Sequence, residues 1–395
     1  MRLNELINLG PQPVSHKFRT LGERQGKRVL LRLVQDVDSG AIQLAEPPAF
    51  ESLVPDFDWL SHKEPEHHLD KLLTELMPLL SGFSRPRAAG VSSKDTSTID
   101  RLESLGWDTW ILDPVLDLGL TQRQGVESIP SNLTISQAKE IANHRGKADL
   151  LVARHIWEHA PNQGSFAESL KELISSDGVI LFEVPDCSPL LEANDYTMIW
   201  EEHLFYYTPE TFINSLTQAN FSPIYSEVFP NSQENINVAL VVNAKQDSTP
   251  YHVSNLNKQL ALGQTYANNY LFIKGQVQDF LRQEKMRGEV GIFGAGHLTV
   301  AFVNYLDIAE FIDLVVDDNI NKHGMLLPGT GIPIVPPETF NQRNGRLLLL
   351  AVNPLDCETI AKRSQVHLQP NRKWFSIFPR SDHFLPLDLD SPRRR

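Results

Sequence analysis

Apolar positions first cluster in two short runs, Val29-Leu-Leu-Arg-Leu-Val34 and Ala41-Ile-Gln-Leu-Ala45, separated by the turn formers Asp36-Val-Asp-Ser-Gly40. That pattern predicts paired strands in a small β-rich cap. Leu69, Leu72, Leu73, Leu76, Leu79 and Leu80 then recur at helical spacing, which predicts a helix over about Glu66–Leu80. Beyond it, apolar runs alternate with helical patterns. Strands are expected at Arg87–Ser92, Thr109–Leu112, Asp149–Ala153 and Gly178–Val184, and helices at Thr96–Leu105, Ile135–His144 and Ser165–Ile174. Such alternation belongs to a doubly wound, mainly parallel α/β sheet, which the run Asn237–Asn243 closes as a late edge or central strand. After polar Ala244–Tyr251 comes a long helix around Asn255–Arg287, and the strand pattern restarts at Glu289-Val-Gly-Ile-Phe-Gly-Ala-Gly296. Further strands at Phe311–Val316, Arg346–Val352 and Lys373–Ile377 complete a second Rossmann-like unit. Three parts are therefore expected: a cap over residues 1–65, a central α/β domain over 66–245 and a C-terminal Rossmann-like domain over 246–395.

Composition narrows the class. A chain of 395 residues can bury two or three cores, and its two cysteines, Cys187 and Cys357, offer neither a disulfide framework nor a metal knuckle. Met1–Gly10 mixes charges with leucines and no run nears the ~18 apolar residues of a membrane span, so a cytoplasmic protein with no leader is expected. The net charge of −13 repels a polyanionic backbone, which argues against nucleic acid as a partner. Arg393-Arg394-Arg395 reads as a solvated tail.

In parallel sheets ligands bind beyond the carboxyl ends of the strands. Polar residues gather there: Arg154-His155-Ile-Trp-Glu158-His159 after one strand, Pro185-Asp186 after the next, and then Trp200-Glu201-Glu202-His203 ahead of Phe205-Tyr-Tyr207. Adjacent carboxylates and a histidine make a proton-transfer site, because histidine titrates near neutrality and a carboxylate can orient its ring. The bland alternative sets Glu201 and Glu202 in the first turn of a helix and His203 in the core. Glu158 and His159 carry the same ambiguity, the first as a surface residue and the second as a capping or packing group. His155 and His159 stand four apart, but the glutamate is misplaced for a zinc helix. His67-His68 reads as the polar face of the first helix, and Asp186 as substrate contact or turn cap.

Several of these segments, in order, resemble the C-methyltransferases that act on nucleotide-linked 4-keto-deoxysugars, and their relatives in surface-polysaccharide clusters. The similar stretches are Leu9-Gly-Pro-Gln-Pro13-Val, Asp149–His159, Gly178–Asp186, Trp200-Glu-Glu-His-Leu-Phe-Tyr-Tyr-Thr208, Gly291–Gly296, Val316–Asn319, Lys322-His-Gly, Pro328-Gly-Thr and Ile332-Pro-Ile. The resemblance implies a class I methyltransferase domain that uses S-adenosylmethionine, between a cap and a C-terminal domain that holds the sugar nucleotide. It implies that His203 removes the proton beside the sugar ketone, that Glu202 orients it and that His159 is a second polar group of the pocket. Donor contacts are implied for Gly90, Ser92, Asp95, Asp113 and Arg154, and substrate contacts for Trp200, Tyr207, Gly294, Gly296, Asp317 and Lys322.

Departures are specific. The family's zinc-binding cysteines are missing, with Gln35-Asp-Val-Asp-Ser-Gly40 at one pair, so no metal is expected. The glycine-rich donor loop reads Gly90-Val-Ser-Ser-Lys-Asp95-Thr96, keeping only Asp95, and Ser92 and Thr96 would narrow it. Trp200 replaces a tyrosine and leaves only an indole N–H as donor. Two other readings follow: a non-catalytic sugar-nucleotide-binding or scaffold protein that has lost the donor, and a nicotinamide oxidoreductase using Gly294-Ala-Gly296 and Asp317-Asp318. The latter pattern is weakened by Thr299 at its third glycine.

Overall fold

The computed structural model describes residues 2–23, 26–57, 59, 66–121, 125–231, 235–243, 255–343, 345–353, 356–363 and 372–387. Arg393–Arg395 lie outside them, as do Pro65 and residues 244–254 at the expected domain boundaries.

Leu150, Leu151, Val152 and Ala153 are all buried, as are Ile180, Leu181 and Phe182 next to them. Such uninterrupted runs fill the middle of a sheet covered on both faces. The six strands lie in the order Phe221–Phe229, Asn235–Asn243, Ile174–Asp186, Ala148–Arg154, Arg87–Gly90, Asp108–Ile111. The last four run parallel, and Asn235–Asn243 runs against both of its neighbours. From Arg87–Gly90 the chain moves out to Asp108–Ile111, then returns to pair on the other side as Ala148–Arg154. The winding reverses there, beyond Gly90 and Arg154, the position at which sheets of this kind bind ligands.

The C-terminal sheet is wound in the same way about Glu289–Phe293, in the order Ile334–Val335, Leu314–Val316, Glu289–Phe293, Gly345–Leu350, Lys373–Ser376, all parallel. The strand expected at Phe311–Val316 starts only at Leu314, because Ala309–Phe311 forms a 3-10 turn.

The cap is larger than its hydrophobic pattern suggests. Arg28–Asp36 pairs with Ile42–Leu44 as expected, but also with Leu3–Pro13, whose alternation is broken by two register shifts. Its fourth strand, Phe205–Tyr206, comes from the central part of the chain. The short ribbon of Arg19–Thr20 with Met325–Leu326 joins the cap to the C-terminal unit. The helix Leu256–Lys285 braces the assembly: Gln35 Nε2 donates to Gln259 O at 2.8 Å and Thr208 Oγ1 to Gln259 Oε1 at 3.0 Å. A Cβ on Gly263 would meet Gln35 Oε1 at 2.6 Å, so a larger residue there would displace the Gln35 amide from its bond to Gln259 O. Among the described residues no helix is long and apolar enough to cross a membrane.

Candidate active site

Two hydrogen bonds to main-chain carbonyls bring the segment after the Ala148–Arg154 strand against the Trp200–Leu204 turn. Leu204 N donates to Glu158 O at 2.9 Å, and His159 Nδ1 donates to Glu202 O at 2.7 Å. A carbonyl only accepts, so Nδ1 carries the proton and Nε2 of a neutral His159 keeps its lone pair. Its ring meets that of His203 edge to face, centroids 4.9 Å apart. His159 is buried and His203 half-buried. Glu158 shares this corner: donor atoms of Glu158, His159 and His203 all lie within 4.8 Å of one another. Glu158 is 1% exposed and neither carboxyl oxygen has a hydrogen-bond partner. Its reading as a surface residue is corrected, because the 3-10 turn Trp157–His159 points it inward.

The two glutamates of Trp200-Glu-Glu-His203 face the cap. They sit in a turn ahead of the Phe205–Tyr206 strand, and the following helix starts only at Pro209, so a first-turn helical position is excluded. Ser15 N donates to Glu201 Oε1 at 2.5 Å, Trp200 Nε1 donates to Ser15 Oγ at 3.1 Å, and Glu202 Oε1 lies 3.2 Å from His16 Nδ1. Burial pushes Glu201 above the usual carboxyl range. It pushes Glu202 well above it, helped by the neighbouring charges of Glu127 and Glu201. The same burial lowers His16 to about 4. The orienting contact expected of the Glu202 side chain therefore comes from its main-chain carbonyl, and it orients His159. The carboxyl beside both imidazoles is Glu158. The indole N–H of Trp200, its only donor, is taken by Ser15, and its ring stacks on His297, centroids 4.5 Å apart. Cap, central sheet and C-terminal unit thus converge on four residues.

The donor-side residues hold one another. Asp95, fully buried, accepts from Val91 N and Ser92 N through one oxygen and from Arg154 N through the other, all at 2.8 Å. Burial pushes its carboxyl up to about 7 against those bonds. Ser92 Oγ caps the next turn by accepting from Lys94 N at 3.1 Å. A Cβ on Gly90 would meet Asp95 Cβ at 2.9 Å, so this glycine serves the loop's own packing. Arg154 is fully buried, with its guanidinium on Glu183 Oε1 at 3.0 Å and on Lys94 O at 2.9 Å. Glu183 also faces His155 Nε2 at 3.0 Å and His68 Nε2 at 2.9 Å. Burial opposes its charge, but Arg154, His155 and His68 hold it well below the usual carboxyl range. His68 is therefore buried, not on the polar face of its helix, and that helix begins only at Leu69. Asp113 stands half-buried beyond Asp108–Ile111 and caps Pro114–Leu118 through Oδ1.

The expected substrate residues divide. Tyr207 is buried against Phe212, and its hydroxyl accepts from Gln163 Nε2. Asp186 caps its turn by accepting from Ser188 N and Ser188 Oγ. In the C-terminal unit Gly294 adopts φ +101, where a Cβ would meet Ala351 O at 2.8 Å. Asp317 Oδ2 accepts from Ala295 N at 2.7 Å and pairs with Lys322 Nζ at 3.1 Å. The acid that would grip a nicotinamide ribose thus pins the glycine loop. Gly296 caps the helix His297–Tyr305, and Thr299 Oγ1 donates to Gly294 O, so the missing third glycine is absorbed locally. His16, Glu127 and His297 carry no local signal in the sequence, since each reaches the site from another part of the chain.

Residues 96–226 match the methyltransferase domain family model, and residues 254–379 match that of the C-methyltransferase C-terminal domain. Both sheets match methyltransferase families. The central sheet is doubly wound as expected, and the methyltransferase domain match runs across most of it. The chain is 26% identical over 242 residues to the C-methyltransferase NovU of Streptomyces niveus, a match covering 58% of this chain and 57% of NovU. Solved structures resembling it include the 1,6-didemethyltoxoflavin-N1-methyltransferase of Burkholderia thailandensis (12% identity, TM-score 0.31, 46% of this chain and 80% of that one). An S-adenosylmethionine-dependent methyltransferase of Aquifex aeolicus is similar at 12% identity and TM-score 0.29, over 46% of this chain and 95% of that one.

Proposed function

We propose that this chain is an S-adenosylmethionine-dependent C-methyltransferase whose acceptor is a nucleotide-linked keto-sugar or a related glycan precursor, with His203 as the base. The carrying observation is the edge-to-face pair His159–His203 next to a buried Glu158 whose carboxyl oxygens have no hydrogen-bond partner, after the strand at which the central sheet reverses its winding. A buried carboxyl without partners suits a cationic ligand, and a sulfonium donor is one. Asp113 at the end of the second strand and the main chain of Val91–Asp95 would hold that donor, which supplies an electrophilic methyl group when bound. His203 takes the proton from the carbon beside the acceptor's carbonyl, since carbon is a poor nucleophile until it is deprotonated. The imidazolium formed is offset by Glu158, and Trp200 with His297 closes the pocket against water. The Gly294–Gly296 loop and the start of helix His297–Tyr305 offer main-chain N–H groups to a pyrophosphate.

One observation favours a second reading, a non-catalytic sugar-nucleotide-binding or scaffold protein. Asp95, Ser92 and Arg154 spend their polar groups on each other and on Glu183, not on an open loop. Calorimetric titration with S-adenosylmethionine separates the two. Saturable heat, followed by a mass gain of one methylene on a nucleotide-linked 4-keto-deoxysugar, supports the enzyme. No heat at high micromolar donor supports the scaffold.

A further inference from the structure

Outside the donor loop, the described histidines divide by what their ring nitrogens touch. His68 and His155 are committed to Glu183, and His16 faces Glu202. The rings of His159 and His203 meet edge to face, and a carboxyl oxygen of Glu158 lies within 4.8 Å of a ring nitrogen of each. We infer that Glu158, His159 and His203 form a binding site for a single divalent cation of the zinc class.

Two imidazoles and one carboxylate are the ligand set of open zinc sites, which keep a position for a further ligand. A tetrahedral site with bonds of ~2.0–2.1 Å separates its ligand atoms by roughly 3.3 Å. The three groups already lie within 4.8 Å of one another and reach that spacing by small adjustments of their side chains. Two independent features point to a cation here. Both oxygens of Glu158 are buried without a hydrogen-bond partner, and its nearest basic neighbour, His155 Nδ1, stands 3.7 Å away, beyond bonding distance. A buried acceptor of this kind is costly until a cation or donor meets it. The other feature is the bond from His159 Nδ1 to Glu202 O at 2.7 Å, the second-shell arrangement that fixes a ligating imidazole with its other nitrogen toward the metal. The spacing in sequence hides the site, since His203 lies far from Glu158 and His159 along the chain and no motif spans the gap.

A cation on the lone pair of His203 prevents it from accepting a proton. Loading and base catalysis are therefore mutually exclusive, and the loaded protein is silent in methyl transfer. This consequence, unlike the site itself, rests on the reading of His203 as base.

The test uses the full chain, stripped with a chelator and dialysed, then titrated with Co2+ alone. Visible d–d absorption and equilibrium dialysis report coordination and stoichiometry. The expected result is one Co2+ per chain, displaced by Zn2+, with affinity lowered about tenfold or more in Glu158→Gln and in His203→Gln. His67→Gln, at an exposed position on Pro230 O, leaves it unchanged. Circular dichroism checks that each variant folds, and either of the two ligand variants suffices. No uptake by the wild-type chain, or equal uptake by the ligand variants, overturns the site. Methyl transfer measured alongside separates the two claims. Uptake of Co2+ with no methyl transfer by the chelator-stripped chain leaves the site and refutes the enzyme, whereas methyl transfer by the stripped chain without uptake does the reverse. Methyl transfer undiminished by bound Zn2+ refutes the exclusion.

Discussion

His159 and His203 stand at an interplanar angle of 75°, the first buried and fixed by a main-chain carbonyl, the second half-buried. That asymmetry assigns different work to two rings of the same kind. Replacing His203 by Gln should lower kcat for methyl transfer by about 10²–10⁴, the usual contribution of a positioned base, while calorimetry finds donor affinity unchanged. A variant with wild-type turnover would remove His203 from the chemistry.

Asp95 should matter through the loop it ties. Asn in its place keeps one acceptor and turns an amide toward main-chain N–H groups, so at least one buried donor loses its partner, at about 1–3 kcal/mol. Asp95→Asn should lower the melting temperature and weaken S-adenosylmethionine by about tenfold or more. Undisturbed donor binding would mean that the loop does not shape the donor site.

Glu201 should prove a fastener. Alanine there leaves Ser15 N–H buried without its acceptor, again at about 1–3 kcal/mol. Limited proteolysis of Glu201→Ala should cut within the first 57 residues faster than in the wild type, whereas Glu201→Gln, which keeps an acceptor oxygen, should resist. Equal cleavage of all three would detach Glu201 from the cap.

His16 predicts an acid-sensitive cap. Its folded value, about 4, lies below the ~6.5 of an unfolded histidine, so between those limits the unfolded chain binds a proton that the folded chain refuses. Stability therefore falls as pH drops from about 6.5 to 4, by up to ~1.4 kcal/mol per unit from this group. Glu202, raised by burial, works in the opposite sense over part of the same window. The readout is accordingly the difference between the wild type and His16→Gln in denaturation curves. The variant should lose the decline, and parallel curves would refute the assignment.

Much of the fold was legible because the inner strands of the central sheet, Ala148–Arg154 and Ile174–Asp186, are largely buried on both faces and carry long apolar runs. Phe221–Phe229 escaped notice because Ser222, Pro223, Ser226 and Glu227 interrupt it, as suits an edge strand. Leu3–Pro13 escaped because its two register shifts erase the period of two. At the site, His159 and His203 stood out as titratable residues beyond strand ends. The contacts of Glu202 with His16 and His159 were not legible, because adjacency in a turn does not fix where a side chain points. Glu158, next to His159, carried a signal in its type but none of its burial.

The pairing of Phe205–Tyr206 with Ile42–Leu44 also bears on how the protein is made. A ribosome delivers Leu3–Leu44 long before residue 206, so the first hairpins emerge with an unpaired edge and wait for the central sheet to hand them their last strand. Folding of the cap is then tied to completion of its neighbour, and a fragment cut at the apparent boundary would carry an open edge prone to self-association.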